Sequence, residues 1–196
     1  MVVFLLRVKA ELENVQHFRP PPGMPFCLDL KQADGDEIRK KVVVDPNETV
    51  EVRGKSEANL CIRWPGSKRE GTVTIISIKG PKAPRALEES DSDFVTFAAF
   101  ECRGAEPVKW HQLEQLLCES TEGKTFSDVD LSEDDTWCDY DDENDLPVSI
   151  ANSKFSLSRT QTRARACGRP FQPRPSVLTP PSLPRSQWRA SSKFSE

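Results

Sequence analysis

Residues 6–13 alternate without a break: Leu6, Val8, Ala10 and Leu12 fall to one side of an extended chain, and Arg7, Lys9, Glu11 and Glu13 to the other. A period of two over eight residues is the signature of a half-buried strand, because successive side chains of a strand point to opposite faces. Residues 26–30 read as a second strand, after a loop carrying Pro20, Pro21, Pro22 and Pro25, and residues 37–44 as a third, ended by the turn Asp45-Pro46-Asn47. Weaker candidates at 49–53 and 58–64 flank Gly54. The run 71–79 holds Thr72, Val73, Thr74, Ile75, Ile76 and Ile78, whose branched side chains favour a pleated, half-buried surface. After a loop over 80–92 comes another strong strand, 94–102, closed by Arg103-Gly104, and a last one spans 147–157. Residues 108–118 are ambiguous: Leu113, Leu116 and Leu117 fit one helical face, which admits a short helix there. Many short strands with turns between them predict a mainly β, β-sandwich-like single domain over residues 1–158.

Beyond Ser158 the pattern dissolves. Pro170, Pro173, Pro175, Pro180, Pro181 and Pro184 are mixed with Ser and Arg, so residues 159–196 are expected to form a disordered tail that cannot bury enough apolar surface to offset its ordering entropy. Charge divides at the same place. The whole chain carries -4, but the tail carries +7 and the body -11. An acidic body is a poor nucleic-acid binder. The tail's arginines are scattered, and Pro173-Arg174-Pro175 is a weak match to a proline-rich recognition segment.

No apolar run approaches the roughly 18 residues that a membrane span requires. The apolar start is interrupted by Arg7 and Lys9, the wrong order for a signal peptide, so a cytoplasmic protein is expected, with no membrane association. The six cysteines, Cys27, Cys61, Cys102, Cys118, Cys138 and Cys167, show no paired spacing and read as free thiols of a reducing compartment.

Three stretches carry a resemblance. The first is Phe100-Glu101-Cys102-Arg103-Gly104 followed by Glu106-Pro107. The second is Phe126-Ser127-Asp128-Val129-Asp130-Leu131 with Asp139-Tyr140-Asp141 after it. The third is residues 6–14, Leu-Arg-Val-Lys-Ala-Glu-Leu-Glu-Asn. Together they resemble the eukaryotic CXXC motif-containing zinc-binding protein family, whose function is uncharacterised. The resemblance covers about residues 1–157 and implies a β-sandwich-like fold with one structural zinc on two Cys-x-x-Cys pairs. Carried onto this chain, the first pair falls after Leu28-Asp29-Leu30-Lys31, at Gln32 and Gly35, and the second falls before Arg69-Glu70-Gly71-Thr72, at Trp64 and Ser67. Structural zinc takes four tetrahedral ligands, mainly thiolate or neutral imidazole. None of these four positions offers one, so the expected metal is none. Such a metal contributes roughly 10–16 kcal/mol of apparent folding energy in small zinc peptides. The loops at Gln32 and Trp64 therefore need another anchor, and Trp64 is the candidate, as an apolar plug.

The alternative is a zinc-binding protein with a non-standard site drawn from Cys27, Cys61 and the acidic run 126–145. Against it, two cysteines are too few and no histidine is near either in sequence. Asp128, Asp130 and Ser132 imitate the opening of an EF-hand loop, but Glu133 stands where its glycine is required. No nucleophile motif surrounds His17 or His111, and Gly66 and Gly71 lack the spacing of a phosphate loop. The reading is a non-enzymatic structural or protein-interaction module, a monomer whose own partner is an unidentified protein.

Overall fold

The computed structural model describes residues 2–52, 56–112 and 116–160. Among them every regular element is a strand. The strands are β1 (Val2–Glu13), β2 (Val15–Arg19), β3 (Phe26–Gln32), β4 (Ile38–Val44), β5 (Val50–Val52), β6 (Ser56–Ala58) and β7 (Leu60–Arg63), followed by β8 (Glu70–Ile75), β9 (Val95–Arg103), β10 (Ala105–His111), β11 (Leu116–Ser120), β12 (Thr125–Val129), β13 (Trp137–Asp141) and β14 (Leu146–Thr160). A six-stranded antiparallel sheet has the order β13-β14-β1-β9-β8-β7. Two three-stranded sheets, β10-β3-β4 and β12-β11-β2, and the β5-β6 ribbon complete the fold.

The alternation seen at 6–13 is the alternation of burial: Leu6, Val8 and Ala10 are buried, while Lys9, Glu11 and Glu13 are exposed. Phe4, Leu6 and Val8 of β1 share one core with Val15 and Phe18 of β2, Phe26, Leu28 and Leu30 of β3, Phe100 of β9 and Val148 and Ile150 of β14. One core spans the large sheet and both smaller ones, which is the packing of a sandwich. At its start β1 is buried on both faces, because Val3 and Leu5 form a second cluster with Ala99, covered by Ile76 and Ile78. A strand covered on both sides reads as a continuous apolar run, which explains the unalternating Val2-Val3-Phe4-Leu5.

The short helix admitted at 108–118 is a correction. Residues 105–111 are β10 and residues 116–120 are β11; residues 113–115 lie outside the described set. Leu116 and Cys118 are fully buried by cross-strand packing, so their burial needs no helical face. Structure also extends past the expected boundary at Ser158: Arg159 and Thr160 pair with Phe4 and Val3. The tail expected beyond them, residues 161–196, lies outside the described residues.

Candidate functional site

The four positions that the resemblance marks for metal lie in two similar turns. Gln32 ends β3, and the Gly35 N–H donates to its carbonyl at 3.4 Å. Trp64 follows β7, and the Ser67 N–H donates to its carbonyl at 3.1 Å. Each turn is thus closed by the same bond between the first and fourth residue. Ser67 tightens the second turn, its Oγ accepting from the Arg69 N–H at 3.1 Å.

Gly104, between β9 and β10, joins the two turns. Its φ of +63° is a left-handed conformation that suits glycine, and it belongs to the Glu-Cys-Arg-Gly-x-Glu-Pro stretch. Its carbonyl accepts the Ala33 N–H of the first turn at 3.3 Å and the Trp64 indole N–H of the second at 3.0 Å. Trp64 is 3% exposed. The indole lies against Gly71, where a Cβ would stand 2.7 Å from its nitrogen. Arg39 of β4 lies over the ring, 5.7 Å from its centre, and donates to the Arg63 carbonyl at 2.5 Å.

Gln32, Trp64 and Ser67 line one open groove of about 450 Å³, with Lys68, Arg69 and Arg103 on its walls. Gly35 is not on the wall; the Gln32 side-chain oxygen sits where a Cβ at Gly35 would come within 2.9 Å of it. The four side chains present an amide, a hydroxyl, an indole N–H already spent on Gly104 and no side chain at all. That set supplies no thiolate and no imidazole and does not fit a structural zinc.

The alternative ligands are not brought together. Cys27 lies on β3, opposite His111 of β10, whereas Cys61 lies on β7, opposite Thr72, with its Sγ 3.7 Å from a Glu70 carboxylate oxygen. Among the described residues no three His, Cys, Asp or Glu side chains are grouped to hold a metal ion. Most acids of the run 126–145 are exposed, but Asp141 is an exception, fully buried. It accepts from the Asn144 amide at 2.9 Å and the Glu143 N–H at 3.2 Å, with the Lys124 ammonium 3.6 Å away. A carboxylate so occupied is a structural anchor for the 141–144 turn.

Asp29 is a buried carboxylate that residue patterns did not single out. It bridges its neighbours, accepting the Lys41 N–H of β4 at 2.8 Å and meeting His111 Nε2 at 2.7 Å. Burial pushes its carboxyl up, but the hydrogen bonds from Lys41 and His111 outweigh this and hold it below the usual carboxylate range. His111 ends β10, and its ring is engaged by Asp29. Although Cys27 is its cross-strand partner, burial pushes the Cys27 thiol up, the opposite of what a nucleophile needs. Cys102 is fully packed in β9, and burial raises its thiol to about 12. His17 is half-buried on β2.

The family model described as "CXXC motif containing zinc binding protein, eukaryotic" matches residues 5–158. A UPF0587 protein of Dictyostelium discoideum is 30% identical over 159 residues, covering 81% of this chain and 99% of that protein. A human CXXC motif containing zinc binding protein is 34% identical over 152 residues, covering 74% of this chain and 91% of that protein. Two solved structures share the fold at 27% identity, each covering 81% of this chain. A hypothetical protein from Plasmodium falciparum has a TM-score of 0.72 and is covered over its full length (100%), and C1orf123 has a TM-score of 0.71 and is covered over 99%. By the family match and the extent of these similarities, the chain belongs to the eukaryotic CXXC motif containing zinc binding protein family.

Proposed function

We propose that this chain is a non-catalytic structural or protein-interaction module of its family, with a degenerate zinc position that a tryptophan plug closes in place of a metal. The observation that carries the reading is the Gly104 carbonyl, which accepts from both turns, from the Ala33 N–H and from the Trp64 indole. A structural zinc ties two turns together by shared coordination; here one carbonyl and one buried ring supply the tie. Gly71 supports the reading from the other side, because its missing side chain is the space that the indole fills. On this reading the protein is a cytoplasmic monomer whose partner is another protein.

The test is the zinc content of the purified full chain, by native mass spectrometry under reducing conditions, with a thermal melt before and after chelation. The expected result is no bound zinc and a cooperative melt indifferent to chelator. One zinc per chain, with a melt lowered by chelator, would overturn the reading in favour of a zinc protein with a non-standard ligand set.

A further inference from the structure

The groove between the two turns carries a small excess of positive charge, although the body around it is acidic. Lys68 and Arg69 stand on the turn before β8, and Arg103 at the end of β9. Arg39 lies over Trp64. Three nearby acids each meet an arginine already: Glu70 with Arg63 at 3.0 Å, Glu101 with Arg103 at 3.0 Å, and Asp34 with Arg69 at 4.0 Å. The last pair is almost fully exposed on both sides and at the limit of contact, so it holds Arg69 only weakly. Among the described residues Lys68 has no acidic partner. Arg39 is held by a carbonyl and a ring, neither of which cancels its charge. Asp34 and Glu70 line the groove as well, so its walls set the three cations Lys68, Arg69 and Arg103 against two carboxylates; Gln32, Gly35, Trp64 and Ser67 add no charge.

We propose that this groove is the docking site for an acidic, extended segment of a partner protein, with Lys68, Arg69 and Arg103 pairing with carboxylates along it. The proposal rests on the reading that no metal lies between the turns. Charge complementarity selects the occupant. The cations come from two places, Lys68 and Arg69 from the turn before β8 and Arg103 from the end of β9, which suits several carboxylates in a row better than one compact oxyanion. A single-stranded nucleic acid would need an exposed ring on which to stack its bases, and the Trp64 ring is buried.

The experiment titrates a fluorescein-labelled oligoglutamate peptide against the full chain, followed by anisotropy. The wild type is compared with a groove variant, Lys68→Glu with Arg69→Glu, and with a tail variant, Arg169→Glu with Arg174→Glu. Both groove substitutions are at the surface, and an unchanged melt checks that the variant folds. The expected result is binding that weakens at least tenfold in the groove variant, stays unchanged in the tail variant, and falls as salt is added. Binding undiminished in the groove variant overturns the proposal. So does a loss confined to the tail variant, or a preference for inorganic phosphate or a single-stranded oligonucleotide over oligoglutamate. Zinc analysis of the same preparation reports on the metal-free reading separately, since bound zinc would sink that reading whatever the peptide does.

Discussion

Trp64 and Gly71 are fitted to one another: a Cβ at position 71 would lie 2.7 Å from the indole nitrogen, 3.2 Å from the Gly104 carbonyl oxygen and 3.3 Å from the Ala105 Cβ. The first of these is closer than a real contact allows, and the other two are backbone-anchored, so the neighbours cannot simply turn aside. The Gly71→Ala variant is expected to lose about 1–3 kcal/mol of stability, the usual cost of overpacking. Denaturant unfolding measures it, and a loss under about 0.5 kcal/mol would mean that the indole is not held where the structure places it.

Substitution of Trp64 itself separates volume from hydrogen bonding. Trp64→Ala leaves a cavity between the turns and is expected to cost about 3–5 kcal/mol. Trp64→Phe keeps a ring but removes the donor to Gly104, whose carbonyl retains the Ala33 N–H; the further loss from the hydrogen bond is about 1 kcal/mol. A negligible change for Trp64→Ala would remove the plug from the account of the fold.

Asp29 predicts a pH dependence. Its folded-state pKa is held below its unfolded value, so between the two values the unfolded chain binds more protons than the native one and stability rises with pH. The contribution is fully present above the ordinary carboxylate pKa of about 3.9 and is lost as pH falls through the lower, folded value. The stability gap between the wild type and Asp29→Asn is therefore expected to be widest near neutrality and to narrow in acid. Paired unfolding curves across that range check it; a gap that is constant with pH would show that Asp29 acts only by shape.

Thiol chemistry gives a separate check on packing. Burial raises the Cys102 and Cys118 thiols to about 12, whereas Cys138 is exposed on β13. An alkylating reagent applied to the native protein near neutral pH is expected to label Cys138 and to spare Cys102 and Cys118 until the chain unfolds. Peptide mapping by mass spectrometry reads the order. Early labelling of Cys102 would mean that the centre of β9 opens readily.

Much of the strand framework was legible because one face of each strand is buried. Residues 6–13 announced β1 by alternation, and the branched residues of 72–75 announced β8. β2 escaped notice because its buried pair, Val15 and Phe18, does not keep a period of two. β10 and β11 resembled a helix because Leu113, Leu116 and Leu117 share a spacing that either element can hold over so short a run. The acidic run hid β12 and β13, whose apolar contribution reduces to a few side chains such as Phe126 and Trp137, paired edge to face at 5.4 Å between ring centres. At the site, the motif stretches located both turns and their four unusual residues. They did not reveal that Gly104 and Gly71, which carry no functional group, are the pieces that hold Trp64.

By itself the sequence determined that this chain is a β protein of its family, that its body is acidic, and that four uncharged residues stand at the positions in question. Those properties are local: periodicity, charge and residue identity can be read along a line. Only the tertiary structure decided that the turns of Gln32 and Trp64 meet on one carbonyl 40 residues beyond Trp64, and that Asp29 on the central β3 ties Lys41 of β4 to His111 of β10. Hydrogen bonds between distant segments depend on which strands become neighbours, and that choice is made by the burial of the whole core together, which no stretch of sequence contains.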